Sequence, residues 1–146
     1  MKNTSFTVTK QIPVDRVQDL LCCALEGGSN YWYRIEKFIE PTEFLNYCDS
    51  RSNHDEKPDF KPEVFRHIDY PTNPGGSIIV SDYHGVEGDV KSMTKTKLNI
   101  KSISKGLKIM AEKYPRHYGN FTSDNEDAET GDVFLQCCVL GTLVYG

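Results

Sequence analysis

Two short segments carry most of the side chains that could bind an anion. Lys95 and Lys97 precede Asn99, a favoured N-cap residue, at the start of a strongly helical pattern. A helix N-terminus flanked by lysines is a natural place for a phosphate. At the other end of that pattern, the sequence PRHY supplies Arg116 and His117 beside a tyrosine. An arginine fork matches phosphate oxygens better than a lysine does, so this segment is a second candidate contact.

Both segments lie in the one basic region of an acidic chain. The 146 residues carry a net charge of −4, yet residues 89–117 hold eight Lys or Arg against two Asp or Glu, a net charge of +6. The acidic remainder would repel a polyanion, which argues against a nucleic-acid polymer as partner. A small ligand with one to three phosphates needs only a local patch. For Lys101, Lys105 and Lys108 alone, a solvated helix face is the simpler interpretation.

The cysteines and histidines lack the spacing of a metal or catalytic site. Five cysteines form two vicinal pairs and a single Cys48 without a CxxC pattern, and four histidines are scattered. The sequence therefore predicts no metal, no cofactor and reduced thiols in a cytosolic protein. The acidic run at residues 124–132 lacks the register of an EF-hand and predicts an acidic cap before the last helix. Cys48 and His54 leave a nucleophilic enzyme open as an alternative, with no sign of activation around them.

The elements that would position these groups mix strands and helices without strict alternation. Strands are predicted at residues 6–12, 31–35, 64–68, 77–83, 89–97 and 142–145. Helices are predicted at residues 14–26, 100–114 and 130–140. Gly27 is the expected C-terminal cap of the first helix, and Gly141 is that of the third. Turns are predicted at residues 71–76 and, as a hairpin, at residues 85–88.

These elements indicate one domain over residues 1–146. The fold class is α+β, with an antiparallel sheet packed against two or three helices and a mobile loop at residues 48–61. The segments CCALEG at 22–27 and CCVLG at 137–141 both carry small side chains, which suits two helices that cross closely. No apolar window approaches the roughly 20 residues of a bilayer span, so no membrane partner is expected.

Three stretches resemble small phage and prophage proteins. They are DLLCCALEGGSNYWY at residues 19–33, KYPRHY at 113–118 and NEDAETGDVFLQ at 125–136. On these stretches the chain is similar to the Thoeris anti-defence family, the first type of sponge that sequesters glycocyclic ADP-ribose signals. The resemblance implies a non-enzymatic binder in the host bacterial cytoplasm. Such a binder withholds the cyclic nucleotide made by a bacterial TIR-domain protein and so blocks host Thoeris immunity.

The resemblance also implies a homo-oligomer, a dimer or hexamer, with nucleotide pockets between subunits and, in some members, further cyclic-oligonucleotide sites. The family pocket places an aromatic ring against adenine, an Asn, and arginines on the diphosphate. The counterparts in this sequence are Tyr83, Asn99 and Arg116, and the neighbours of Arg116 are Lys113 and His117. From the residues themselves, Lys95 would add positive field. A second hypothesis, from the charge distribution, is a phage inhibitor that binds a host protein through its acidic surface.

Overall fold

The computed structural model describes residues 3–43, 66–82 and 94–146. The strands within these residues are β1 (Tyr33–Ile39), β2 (Ser77–Asp82) and β3 (Thr94–Leu98). The helices whose bounds are described are α1 (Val14–Cys23), which continues into a π turn (Ala24–Gly28), α2 (Asp69–Thr72), α3 (Ile100–Lys113), α4 (Pro115–Thr122) and α5 (Ala128–Val139). The predicted α+β class is confirmed, with more helices than the two or three expected.

The sheet is antiparallel, with β2 between β1 and β3. Ile78 and Val80 of β2 and Leu98 of β3 are fully buried in the core. Because successive side chains of a strand point to opposite faces, Lys95 and Lys97 share the face opposite to Leu98. The sheet therefore separates the core from the two lysines that precede α3.

Helix α5 is the central element of the helical layer. Every residue from Thr130 to Cys138 is buried, as the nearly continuous apolar pattern predicts. Its first turn is capped by Asp127, whose carboxylate accepts a hydrogen bond from the Thr130 amide at 2.9 Å. The predicted acidic cap is confirmed. Gly141 follows the helix with a φ of 77°, which agrees with the predicted left-handed ending.

Glycines allow α5 to cross its neighbours at short range. A Cβ on Gly131 would lie 2.6 Å from the amide nitrogen of Ala24 in the π turn. A Cβ on Gly106 of α3 would lie 2.9 Å from the Cα of Cys138. Each small-residue segment packs closely against a helix, but the partners differ: residues 22–27 meet Gly131, whereas Cys138 of the second segment meets Gly106 of α3.

Helix α1 buries one face, and its predicted end is wrong. Leu20 and Leu21 are fully buried, as the helical periodicity predicts. The helical segment does not end before Gly27, because the backbone continues as a π turn through Gly28. The physical reason is close packing, since a Cβ on Gly28 would lie 2.9 Å from the carbonyl carbon of Ala128.

Helix α3 begins where the sequence predicts. The Asn99 side chain accepts a hydrogen bond from the Ser102 amide at 3.0 Å, and the Ser102 hydroxyl accepts one from the Asn99 amide at 2.8 Å. This reciprocal capping box satisfies two donors and fixes the first turn. Pro115 ends the pattern as expected, but it also starts α4, where a missing N–H costs nothing.

Two predicted strands are absent from the described residues. Residues 6–12 form no strand although they alternate, and Phe6 and Val8 are 90% and 89% exposed. Residues 142–145 form no edge strand, because the amides of Val144 and Tyr145 donate instead to the side-chain carbonyl of Gln136 at 2.8 and 2.9 Å.

Part of the predicted turn at residues 71–76 is helical, since α2 extends into it. Residues 66–68 precede α2 without forming a strand. The rest of the predicted strand at 64–68, residues 89–93 of the next one, the loop at 48–61, the hairpin turn at 85–88 and Tyr83 lie outside the described residues.

The four described cysteines, Cys22, Cys23, Cys137 and Cys138, are free thiols. Burial raises the pKa of Cys137 to about 11, which keeps this thiol protonated and unreactive. None of the helices in the described ranges combines the length and the apolar character of a bilayer span.

Candidate anion-binding site

A cleft of about 340 Å³ opens at the N-terminus of α3. Its walls come from the turn after α2, the end of β3 and the first turn of α3. The lining residues are Asn73, Gly75, Gly76, Lys97, Asn99, Ile100 and Lys101. Pockets that hold small molecules measure about 300–1,000 Å³, so the cleft is large enough for a phosphate-bearing group.

The turn after α2 contributes glycine backbone, without side chains, to one wall of the cleft. Gly75 has a φ of 80°, a conformation that favours glycine, and the Gly76 amide donates to the Asn73 carbonyl at 3.1 Å. The sequence predicts this turn from its Pro-Gly-Gly composition. It does not predict that the turn faces α3, because that contact is made by the tertiary fold.

The start of α3 supplies both backbone and side-chain donors to the cleft. The capping box uses the Ser102 amide, whereas the amides of Ile100 and Lys101 occupy the first two helical positions, which have no intrahelical partner. Lys97 and Lys101 are exposed, and their ammonium groups make no hydrogen bond or ion pair to the described residues. The Lys97 backbone carbonyl accepts from the Ser102 hydroxyl at 3.1 Å. An anion in the cleft would therefore meet a helix N-terminus and two ammonium groups.

Two of the residues singled out from the sequence, Lys97 and Asn99, line this cleft, and the sequence interpretation missed a third. Lys101 was expected to belong to a solvated stripe with Lys105 and Lys108, but it faces the cleft from the first turn of α3. Its position directly after the N-cap is the signal that separates it from the other two lysines.

Lys95 lies on the same sheet face as Lys97, about 7 Å further along β3. It adds to the positive field around Glu36, whose carboxylate accepts from the Ser81 hydroxyl at 2.7 Å and pairs with Arg34 at 2.7 Å. The Ser81 hydrogen bond first, and then Arg34, lower the pKa of Glu36. Lys95 is therefore beside the cleft but does not line it.

The other predicted contacts lie at the opposite end of α3. Lys113 is the last residue of α3, and Arg116 and His117 lie in the first turn of α4. The 14 residues of α3 span about 20 Å, so one compact ligand cannot contact both Asn99 and Arg116 in one protomer. Within one protomer these residues therefore lie at two separate places, and a shared site, which the resemblance puts between subunits, stays a prediction.

The Arg116 end of α3 is nevertheless open to an external group. Arg116 is exposed and forms no hydrogen bond or ion pair with the described residues. The Nδ1 atom of His117 is buried and has no hydrogen-bond partner in the described part of the chain. Arg116 and His117 form a second polar edge, separate from the cleft.

An apolar groove of about 250 Å³ adjoins the cleft. Ile100 lines both, so the two depressions share one wall. The groove runs between the first turn of α1 and α3, and its other lining residues are Ile12, Val14, Val17, Thr72, Ile103, Ser104 and Leu107. A molecule with an anionic end and a flat apolar end could occupy both depressions at once.

A second polar cluster is buried around Asp132 of α5. Its carboxylate accepts hydrogen bonds from the Ser29 hydroxyl at 2.8 Å, the Trp32 indole at 2.7 Å and the Tyr31 hydroxyl at 2.6 Å. Gln136 adds a fourth at 3.1 Å. Burial, and next the hydrogen bond to Asp132, raise the pKa of Tyr31 to about 12. Trp32 is fully buried here, so its ring is not available to stack on a base.

The acidic run at residues 124–132 is engaged by the protein's own groups. Arg16 pairs with Asp124 at 2.8 Å and with Glu126 at 2.7 Å. The hydrogen bond from Arg16 lowers the pKa of Glu126. With Asp127 used as a cap and Asp132 buried, this segment offers less free negative charge than its composition indicates.

No family model, curated protein or solved structure matches this chain.

Proposed function

We propose that the protein binds a small cyclic nucleotide of the cyclic ADP-ribose type and withholds it without turnover. The observation that carries the proposal is the cleft before α3, where Lys97, Lys101 and the free amides of the first helical turn meet. In line with the sequence resemblance, the ligand would be the glycocyclic signal of a bacterial TIR-domain protein. Binding in the host cytoplasm would then block Thoeris immunity.

The two adjoining depressions match the two ends of such a ligand. The diphosphate would lie at the cleft, against two ammonium groups and a helix N-terminus. The adenine would lie in the apolar groove beyond Ile100, which the cleft and the groove share. Asn99 keeps its side chain on the helix cap, so it shapes the cleft more than it contacts the ligand.

The magnitude of binding favours a site completed by a second copy of the chain. A charge-assisted hydrogen bond contributes about 1.5–3 kcal/mol, and nanomolar binding needs about 12 kcal/mol. Two lysines and two amides reach that figure only if every bond is near the strong end. The exposed Lys113 and Arg116 and the half-buried His117, about 20 Å away in the same protomer, could supply further contacts from a partner subunit. A homo-oligomer is therefore part of the proposal.

The test is calorimetric titration of the full chain with cyclic ADP-ribose, linear ADP-ribose and inorganic pyrophosphate. Lys97→Ala combined with Lys101→Ala removes both ammonium groups of the cleft, and we expect affinity for cyclic ADP-ribose to fall by at least about 10²-fold. The matched control is Lys105→Ala combined with Lys108→Ala, which removes the same charge from α3 one to two turns beyond Lys101. At physiological salt we expect it to lower affinity by less than about threefold.

Mass spectrometry of the ligand released by heat completes the experiment. Intact cyclic ADP-ribose supports sequestration, whereas a linear product would identify an enzyme. Equal losses in the two double variants, or no binding of any of the three probes, would refute the assignment of the cleft.

A further inference from the structure

Three metal-ligating side chains meet outside the residues that line the cleft. Cys22 and Glu26 are four residues apart across the junction of α1 and the π turn, which places them on one helical face. His67 reaches them from the segment before α2. One ligand atom from each lies within 4.8 Å of the other two, and His67 Nε2 is 3.5 Å from a Glu26 carboxylate oxygen.

The spacing of these atoms is close to that of a tetrahedral metal site. Zinc binds thiolate at about 2.3 Å and imidazole or carboxylate at about 2.0–2.2 Å, so its ligand atoms lie about 3.4–3.7 Å apart. The His67–Glu26 distance already has this value. The sulfur needs to approach by about 1.4 Å at most, which is within the reach of a change in side-chain torsion.

The His67 imidazole has a buried nitrogen atom that lacks a hydrogen-bond partner among the described residues. Its Nε2 atom is inaccessible to solvent and has no hydrogen-bond partner in the described part of the chain, although the Glu26 carboxylate is near. A buried polar atom without a partner costs free energy unless a ligand satisfies it. A cation between Nε2 and the carboxylate would do so.

We propose that Cys22, Glu26 and His67 form a binding site for a zinc-type divalent cation. The sulfur, nitrogen and oxygen donors are the set that zinc accepts, and three protein ligands leave the fourth position to water or to a group from outside the chain. A thiolate and a carboxylate together balance the two positive charges of the ion. This site is independent of the proposed nucleotide cleft.

The local charges make metal and proton compete at Cys22. Burial, and next the Glu26 carboxylate, raise the pKa of the Cys22 thiol, while Arg66 opposes this shift. The Arg66 guanidinium is itself held by Asp69 at 3.4 Å. Metal binding would therefore displace a proton from the thiol.

The proposed ion would link two segments that are distant in the sequence. Cys22 and Glu26 belong to the first helical segment, whereas His67 leads into α2. A ligand that binds only the folded chain stabilises it by mass action, so the metal should raise the unfolding temperature. The sequence alone could not indicate this site, because no local spacing relates His67 to the other two residues.

The experiment is titration of the full, reduced chain with Co²⁺, followed by displacement with Zn²⁺. The sulfur-to-cobalt charge-transfer absorption in the near ultraviolet reports a thiolate ligand. We expect Cys22→Ser to abolish that band, and His67→Gln and Glu26→Gln to weaken affinity by at least about 10-fold, because even the loss of a group that only hydrogen-bonds to a metal ligand typically costs about 10–100-fold. Zn²⁺ should raise the unfolding temperature of the parent chain and of Cys23→Ser, the matched control at the neighbouring thiol.

Two results would overturn the proposal. If His67→Gln and Glu26→Gln keep the parent affinity while Cys23→Ser loses it, the vicinal thiols bind the metal without the other two ligands. If all variants give the parent titration, the metal binds elsewhere. Because the Glu26 side chain is 61% exposed, Glu26→Gln keeps the fold and the test does not depend on the more buried positions.

Discussion

The molecule contains two groups of charged side chains, of which one is buried and the other is exposed to solvent. Around Asp132, four side-chain donors surround a carboxylate that is only 8% exposed. At the start of α3, Lys97 and Lys101 are exposed and make no ion pair with the described residues. A charge whose partners are internal stabilises the fold, whereas a charge without internal partners is available to a ligand. Only the second region is therefore a candidate site.

The Asp132 cluster also explains how the chain end is placed. The Gln136 amide donates to Asp132 and to the Tyr145 carbonyl at 3.1 Å each, and its side-chain carbonyl accepts from the backbone amides of Val144 and Tyr145. The tail of the protein is thus attached to the same network as the buried carboxylate. Loss of that network should loosen residues 142–146 as well as the core.

The largest effect is expected from Asp132→Asn. The amide keeps the shape of the side chain but turns one acceptor into a donor, which faces hydroxyl and indole donors that then lose their partner. We expect the free energy of unfolding to fall by about 3 kcal/mol, measured by urea denaturation. Tyr31→Phe removes the hydroxyl that donates to Asp132 and accepts from Gln136 at 3.5 Å, at the rim of the cluster, and should cost about 1 kcal/mol. Equal, small losses in the two variants would show that the cluster is not a stabilising network.

A somewhat smaller loss is expected from Gly131→Ala, which tests the crossing that holds Asp132 in place. The new Cβ would meet the Ala24 backbone at 2.6 Å, and backbone cannot move aside without shifting the π turn that leads to Ser29. Overpacking of this kind costs about 2 kcal/mol. Gly119→Ala in α4 is the control, because no atom lies within 4 Å of its added Cβ. It should raise stability by about 0.5 kcal/mol, and a loss there would mean that helix geometry alone explains the Gly131 result.

The sequence predicted the elements whose determinants are local. Asn99 begins α3 because its cap is made within four residues, and α5 is buried because its own pattern is apolar on all faces. The strand at residues 6–12 failed for the opposite reason. Its alternation is present, but a strand also needs a partner, and Phe6 and Val8 have none among the described residues.

The candidate site was predictable only in part for the same reason. The pairing of Lys97 with the N-terminus of α3 is local, and the sequence indicates it. The contribution of Gly75 and Gly76, and the role of Lys101, depend on where α2 and its turn dock. Arg116 was grouped with Asn99 because both could bind phosphate, but the length of α3 separates them. The residue types alone do not reveal that distance.

The smallest effect on stability, and the sharpest separation of the two regions, is expected from Asn99→Asp. Aspartate caps a helix as well as asparagine does, and its charge favours the helix N-terminus, so the free energy of unfolding should rise by about 0.5 kcal/mol. The same carboxylate would stand in the cleft beside Lys97 and Lys101, where it would compete with an anionic ligand. Calorimetry should therefore show weaker binding of cyclic ADP-ribose by a protein that is slightly more stable.

The control variant is Asn99→Ala, which loses the cap and adds no charge. It should reverse the pattern, with a free energy of unfolding about 1 kcal/mol lower and with binding reduced far less than in Asn99→Asp. If Asn99→Asp bound the nucleotide as tightly as the parent chain, the phosphates would lie elsewhere, and the exposed charges at the start of α3 would serve solubility alone.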